Sequence, residues 1–96
     1  MKPSELLESH RKEICRMVKR NHTRNPRVFG SVLRGGDTDS SDLDLLVDPL
    51  PDTTLLNLGA LQVDLEQLLG ISVDILTPGD LPAKFRDAVL KEAVPI

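Results

Sequence analysis

Tryptophan and tyrosine are missing from this 96-residue chain, and phenylalanine occurs only as Phe29 and Phe85. So few aromatic faces count against recognition of single-stranded nucleic acid by base stacking. Cysteine is nearly missing too. Cys15 stands alone, which excludes a disulfide framework and a thiolate metal cluster. No apolar run approaches the length needed to span a bilayer. Met1 leads directly into a charged, amphipathic stretch rather than a secretory leader pattern. The expectation is a cytoplasmic protein that does not engage the membrane.

What is present is ordinary apolar content, 40% of residues and rich in Leu and Val, which argues against disorder. A chain of this length is read as one domain, residues 1–96. Its core is modest, so much of any substrate must be held by another chain or lie open to solvent. The net charge of −3 hides an asymmetry. Residues 1–36 carry nine Lys/Arg against three Glu, and residues 37–96 carry three Lys/Arg against twelve Asp/Glu. One reading is a solvated basic helix beside an acidic remainder. The other places Arg24, Arg27 or Arg34 against a polyphosphate while the acidic half supplies metal ligands. An acidic chain overall does not suggest a sequence-specific DNA binder.

Hydrophobic spacing predicts a helix over 4–20, from Leu6, Leu7, Ile14, Met17 and Val18. Asn21 to Pro26 breaks it. A short strand over 27–30, a single helical turn over 32–34 and a loop over 35–40 follow. The run from Leu43 to Val47 is apolar apart from Asp44, as in a strand covered on both faces. A helix near 54–69, capped by Asp52 or Thr53, carries Leu55, Leu58, Leu61, Leu65 and Leu68 on one stripe and stops at Gly70. A third strand over 71–76 leads to a last helix near 81–93, capped by Asp80, with Leu81, Phe85, Ala88 and Val89 on its apolar side. Strand–helix–strand from 43 to 76 favours parallel pairing of the second and third strands. The short link from 31 to 41 lets the first and second pair antiparallel. The expected fold is α/β, a small mixed three-stranded sheet with helices packed on it.

That topology gathers chemistry at one sheet edge. Asp42 and Asp44 sit at i and i+2 where the second strand starts, so both face the same way, about 6–7 Å apart. A carboxylate inside an apolar run is costly unless it is paired or bound to a metal. Asp74, between Val73 and Ile75, arrives beside Asp44. The first strand delivers Gly30 and Ser31 to the same edge, where a small-residue turn lets backbone amides approach phosphate oxygens. The combination suggests a site for a metal-bound nucleoside triphosphate. His10, His22 and Cys15 have no metal-ligand spacing, and Asp37 and Asp39 read as solvated loop residues.

Gly30-Ser31-x-x-Arg34-Gly35, five residues, then Ser41-Asp42-x-Asp44 resembles the signature of the DNA polymerase beta-like nucleotidyltransferase superfamily. The small size and the Asp-Leu-Asp-Leu-Leu-Val run resemble its minimal nucleotidyltransferase branch, antitoxins paired with HEPN-domain toxins. The resemblance implies a polymerase beta-like fold and two Mg²⁺ ions held by Asp42 and Asp44. Asp74 would complete the second metal site or take the acceptor's proton. Gly30, Ser31, Arg34 and Ser41 would contact the nucleotide. It further implies transfer of AMP from ATP to a hydroxyl, plausibly of tyrosine, on the HEPN partner. Two other functions stay open: an antitoxin that masks its toxin by stoichiometric binding, and a transferase acting on a small molecule or an RNA end.

Overall fold

A computed structural model of the chain describes residues 1–33 and 35–96. Its elements are helices α1 (Pro3–Ser9), α2 (Arg11–Arg20), α3 (Leu55–Leu69) and α4 (Ala83–Glu92), and strands β1 (Thr23–Phe29), β2 (Leu43–Pro49), β3 (Val73–Leu76) and β4 (Val94–Pro95). A 3-10 turn, Pro78–Asp80, precedes α4. The sheet is mixed and four-stranded, in the order β3-β2-β1-β4. β2 pairs parallel with β3 and antiparallel with β1, as the connection lengths predict. The fourth strand was not expected. Val94 and Pro95 pair with Val28 and Arg27 of β1 instead of simply ending the last helix.

The first helix is two helices. His10 donates its N–H to Leu6 O and accepts from Ile14 N, so one residue closes α1 and opens α2. The His10 ring nitrogen lies 3.1 Å from Leu6 O, and Ser9 Oγ donates to Glu5 O. Such side-chain bonds to the preceding turn compete with the helical ladder and bend it. The hydrophobic spacing survives the break: Leu6 and Leu7 of α1 and Ile14 and Val18 of α2 all enter the core.

β1 starts four residues earlier than the pattern suggests and contains Pro26. Its pairing explains how. Arg24 faces Asp48 and Arg27 faces Leu46, so Asn25 and Pro26 together oppose a single residue of β2. This bulge, with Asn25 at φ 55°, takes the missing proline N–H out of the ladder. Thr23 is buried and donates its hydroxyl to Val18 O, fixing the passage from α2 to β1.

β2 is the central strand. Leu43, Leu45 and Val47 alternate onto the main core with Leu61, Leu65 and Leu69 of α3 and Val73 of β3. Asp44, Leu46 and Asp48 point to the other face by alternation. Leu46 is fully buried there, where the 3-10 turn lies against β2. The cap of α3 is Thr54, not Asp52 or Thr53. Its hydroxyl accepts from Asn57 N. Thr53 instead accepts from Leu50 N and donates to His22 O, and Asp52 pairs with His22. Gly70 ends the helix in the left-handed region, as expected. The stripe on α3 is narrower than the spacing implies, because Leu55 and Leu56 are 85% and 84% exposed. In the last helix, Pro82 takes the place expected of Asp80, which binds Thr77 instead. No residue of α4 is buried, and Phe85 is exposed.

Candidate active site

Asp44 and Asp74 are direct partners in the parallel register of β2 and β3. Both therefore leave the sheet on the same face, about 4.8 Å apart at the backbone. Asp42 lies just before β2 and is exposed. Asp44 is half-buried, and its pKa is raised to about 6. Burial is the largest cause, followed by the negative charge and hydrogen bonding of Asp74 and then the charge of Asp42. Asp44 thus carries the repulsion of two neighbouring carboxyl groups, Asp74 the nearer in effect and Asp42 the lesser, and among the described residues no basic side chain offsets it. A cation would relieve that repulsion.

On the other flank, Phe29 of β1 pairs with Asp44, which brings Gly30 over the same carboxylate. Gly30 has φ 79°, a conformation that L side chains rarely adopt. A Cβ built there would overlap Asp44 Oδ2 and stand 3.2 Å from its Cγ. Two independent constraints therefore favour glycine. The turn that follows is closed by Gly36 N donating to Ser31 O and by Gly35 N donating to Val32 O. Where a helical turn was expected over 32–34, Val32 and Leu33 lie in this hydrogen-bonded turn; Arg34 falls outside the described residues. Ser41 is engaged locally: its Oγ accepts from Thr38 N at 2.8 Å, and its N donates to Thr38 O at 3.0 Å.

Among the described residues no group of three His, Cys, Asp or Glu side chains is drawn together tightly enough to hold an ion alone. Magnesium does not require such a cage. It commonly binds through one or two carboxylates, with substrate phosphates and water completing the shell. The oxygen-only donor set at Asp42, Asp44 and Asp74 fits that chemistry. No enclosed pocket forms among the described residues.

Two sequence readings change. Arg27 is not free to meet a phosphate. Its Nη2 donates to Asp48 at 2.6 Å and its Nε to Asn25 O. Burial alone would raise the pKa of Asp48, but hydrogen bonds from Asn25 and Arg27 and the charges of Arg27 and Arg24 outweigh it and hold it below the usual range. Asp37 is not a solvated loop residue. It is 7% exposed, and its Oδ2 accepts from Ser4 N at 2.9 Å. Nothing local in the sequence marks it, because its partner lies 33 residues away.

Carboxylates on adjacent parallel strands, with a glycine turn pressed onto one of them, form one open oxygen-lined face. Residues 7–96 match the nucleotidyltransferase domain family, and the chain belongs to it. Within that class it is a minimal nucleotidyltransferase. It superposes on a solved candidate minimal nucleotidyltransferase with a TM-score of 0.87 and 41% identity, covering 97% of this chain and 95% of that one. It is 37% identical to the protein adenylyltransferase MntA of Thermococcus cleftensis over 93% of this chain and 87% of the relative. A candidate protein adenylyltransferase of Methanocaldococcus jannaschii is 31% identical over 90% of this chain and 92% of the relative. A toxin–antitoxin complex crystallised with AMP-PNP shares the fold at a TM-score of 0.73 and 19% identity, over 88% of this chain and 69% of that one.

Proposed function

We propose that residues 1–96 form one nucleotidyltransferase domain that moves AMP from Mg-ATP onto a hydroxyl of a partner toxin of the HEPN class, and so acts as its antitoxin. The observation that carries the reading is the register of Asp44 against Asp74, with Gly30 pressed onto Asp44. Relatives named as protein adenylyltransferases support a protein acceptor.

In this reading Asp42 and Asp44 would hold two magnesium ions, and Asp74 would join the second site or take the acceptor's proton. Ions held there would supply charge neutralisation on the triphosphate and a lowered pKa at the acceptor hydroxyl. Gly30 and Ser31 offer backbone amides and a hydroxyl to the β- and γ-phosphates, and Arg34 and Ser41 lie in the same motif. The acceptor oxygen, plausibly of tyrosine, attacks the α-phosphorus, and pyrophosphate leaves. Such chemistry depends on positioning and charge stabilisation more than on covalent participation by the protein. The openness of the site suits an acceptor presented by a second chain.

Intact mass spectrometry of the HEPN partner, co-expressed with this chain, tests the reading. One or more added AMP masses are expected, and none with Asp42→Asn/Asp44→Asn. An unmodified partner in a tight, protected complex would establish stoichiometric masking instead. AMP transfer to a small alcohol or an RNA end with no protein acceptor would establish the third reading.

A further inference from the structure

Among the described residues between Gly30 and Asp42, hydrogen bonds close two turns. The first is held by Gly36 N to Ser31 O at 3.1 Å and Gly35 N to Val32 O at 3.3 Å. The second is held by Ser41 N to Thr38 O at 3.0 Å and Thr38 N to Ser41 Oγ at 2.8 Å. The first turn carries Gly30 and Ser31, and the second delivers Ser41 and Asp42. Asp37 is the single residue between them. Each turn holds its own shape, so the joint between them sets how the two halves of the site sit relative to each other.

That joint is fastened to a distant element. The Asp37 carboxylate accepts from the backbone N–H of Ser4, in the first turn of α1. The hydrogen bond from the Ser4 backbone is the largest cause that holds the Asp37 pKa below its usual value against the effect of burial. The base is firm, because Pro3, Leu6 and Leu7 of α1 are buried. A weaker tie runs alongside, from the Met1 amino group to exposed Asp39 at 3.9 Å.

We propose that Asp37 is a positioning residue, which holds the phosphate-facing turn at Gly30-Ser31 in register with the carboxylates at Asp42 and Asp44 by docking the joint between them onto α1. The proposal rests on the assignment of those two groups to nucleotide and metal made above. It makes the N-terminal helix, which contributes no group to the chemistry, part of what determines triphosphate affinity.

Asp37→Asn and Asp37→Glu separate position from charge. Asparagine keeps an oxygen at the right reach to accept from Ser4 N but loses the charge. Glutamate keeps the charge but is one methylene too long for a buried joint. KM for Mg-ATP is therefore expected to stay within about twofold of wild type in Asp37→Asn, and in Asp37→Glu to rise about tenfold with a fall in kcat. Thermal midpoints read alongside confirm that both variants fold. Nucleotide-free amide exchange gives a second readout: Gly35, Gly36 and Ser41 should exchange faster in Asp37→Glu and not in Asp37→Asn. Unchanged KM in folded Asp37→Glu would overturn the proposal, as would Asp37→Asn failing as badly as Asp37→Glu. A wild-type chain that takes no Mg-ATP would sink the assignment of the site instead. Unaltered exchange in Asp37→Glu would then overturn the docking of the joint on its own.

Discussion

Under the proposed function, stability and activity pull in opposite directions at Asp44. Its carboxyl is raised from 3.8 to about 6, so the folded chain binds that proton more tightly than the unfolded chain does. The linkage has a definite sign: stability falls as pH rises from about 4 through about 6, and above that the charged carboxylate strains the fold. Asp44→Asn should therefore raise the thermal midpoint of the metal-free protein at pH 7.5. The gain is about 1 kcal/mol once solvent screening at a half-exposed site is allowed for. The same variant should lose AMP transfer by about three orders of magnitude or more. Thermal melts with and without Mg-ATP check both halves, because added Mg-ATP should stabilise wild type and not the variant. Gly30→Ala should behave differently, losing on both counts. The φ of 79° costs about 1 kcal/mol in stability, and the new methyl displaces Asp44 Oδ2, lowering transfer by about a hundredfold. Urea melts and initial rates on one preparation separate the two effects. At this scale the sequence was most informative. The placement of Asp44 beside Asp74 with Gly30 on it could be read from short-range pattern, since a carboxylate in an apolar strand and a glycine before a turn are local signals. Asp37 could not, since its partner Ser4 is distant and its own neighbours are polar.

Secondary-structure elements were legible wherever one periodic signal ran unopposed, and less so where side chains bonded back to the main chain. The crossover from β2 through α3 to parallel β3 followed from length alone. The end of α3 at Gly70 followed from the left-handed region that glycine tolerates. Its start did not, because Asp52, Thr53 and Thr54 are all competent caps and only the fold decides among them. The decision has a measurable consequence. Thr54→Ala removes the oxygen that accepts from Asn57 N and should cost about 1 kcal/mol. Asp52→Ala removes only an exposed pair with His22 and should stay within about 0.5 kcal/mol of wild type. Chemical denaturation of the two variants checks the ranking, and a larger loss in Asp52→Ala would contradict the cap. β1 was underread for a related reason. Pro26 signals a break, yet the two-against-one bulge with Asn25 keeps it inside the strand. That bulge also orients Asn25 and Arg27 onto Asp48. β4 was invisible because two residues carry no periodicity; it exists through the edge that β1 offers.

The molecule as a whole is a thin slab, with principal extents of 35 × 30 × 18 Å, and among the described residues nothing encloses the face that carries Asp44 and Asp74. Acid groups of opposite behaviour share this slab. Asp37 and Asp48 have depressed pKa values, so they stabilise the fold above the ordinary carboxylate range, and that stability is lost as pH falls through their folded values. Asp44 acts in the other sense, destabilising progressively as pH rises toward about 6 and beyond. The metal-free chain should therefore be most stable in mildly acid solution, between the loss from Asp37 and Asp48 below and the ionisation of Asp44 above. The optimum should move toward neutrality when Mg-ATP is bound, since a cation favours ionised Asp44. Thermal melts from pH 3 to 8, with and without Mg-ATP, measure this directly. Arg27→Met should erode the acid side of the profile by unpairing Asp48, at a cost of about 1–2 kcal/mol at neutral pH, and leave the Mg-ATP shift intact. Asp44→Asn should flatten the neutral side and abolish that shift. If instead Mg-ATP moves the optimum equally in Asp44→Asn, the nucleotide binds away from the paired carboxylates, and the assignment of this face as the active site fails.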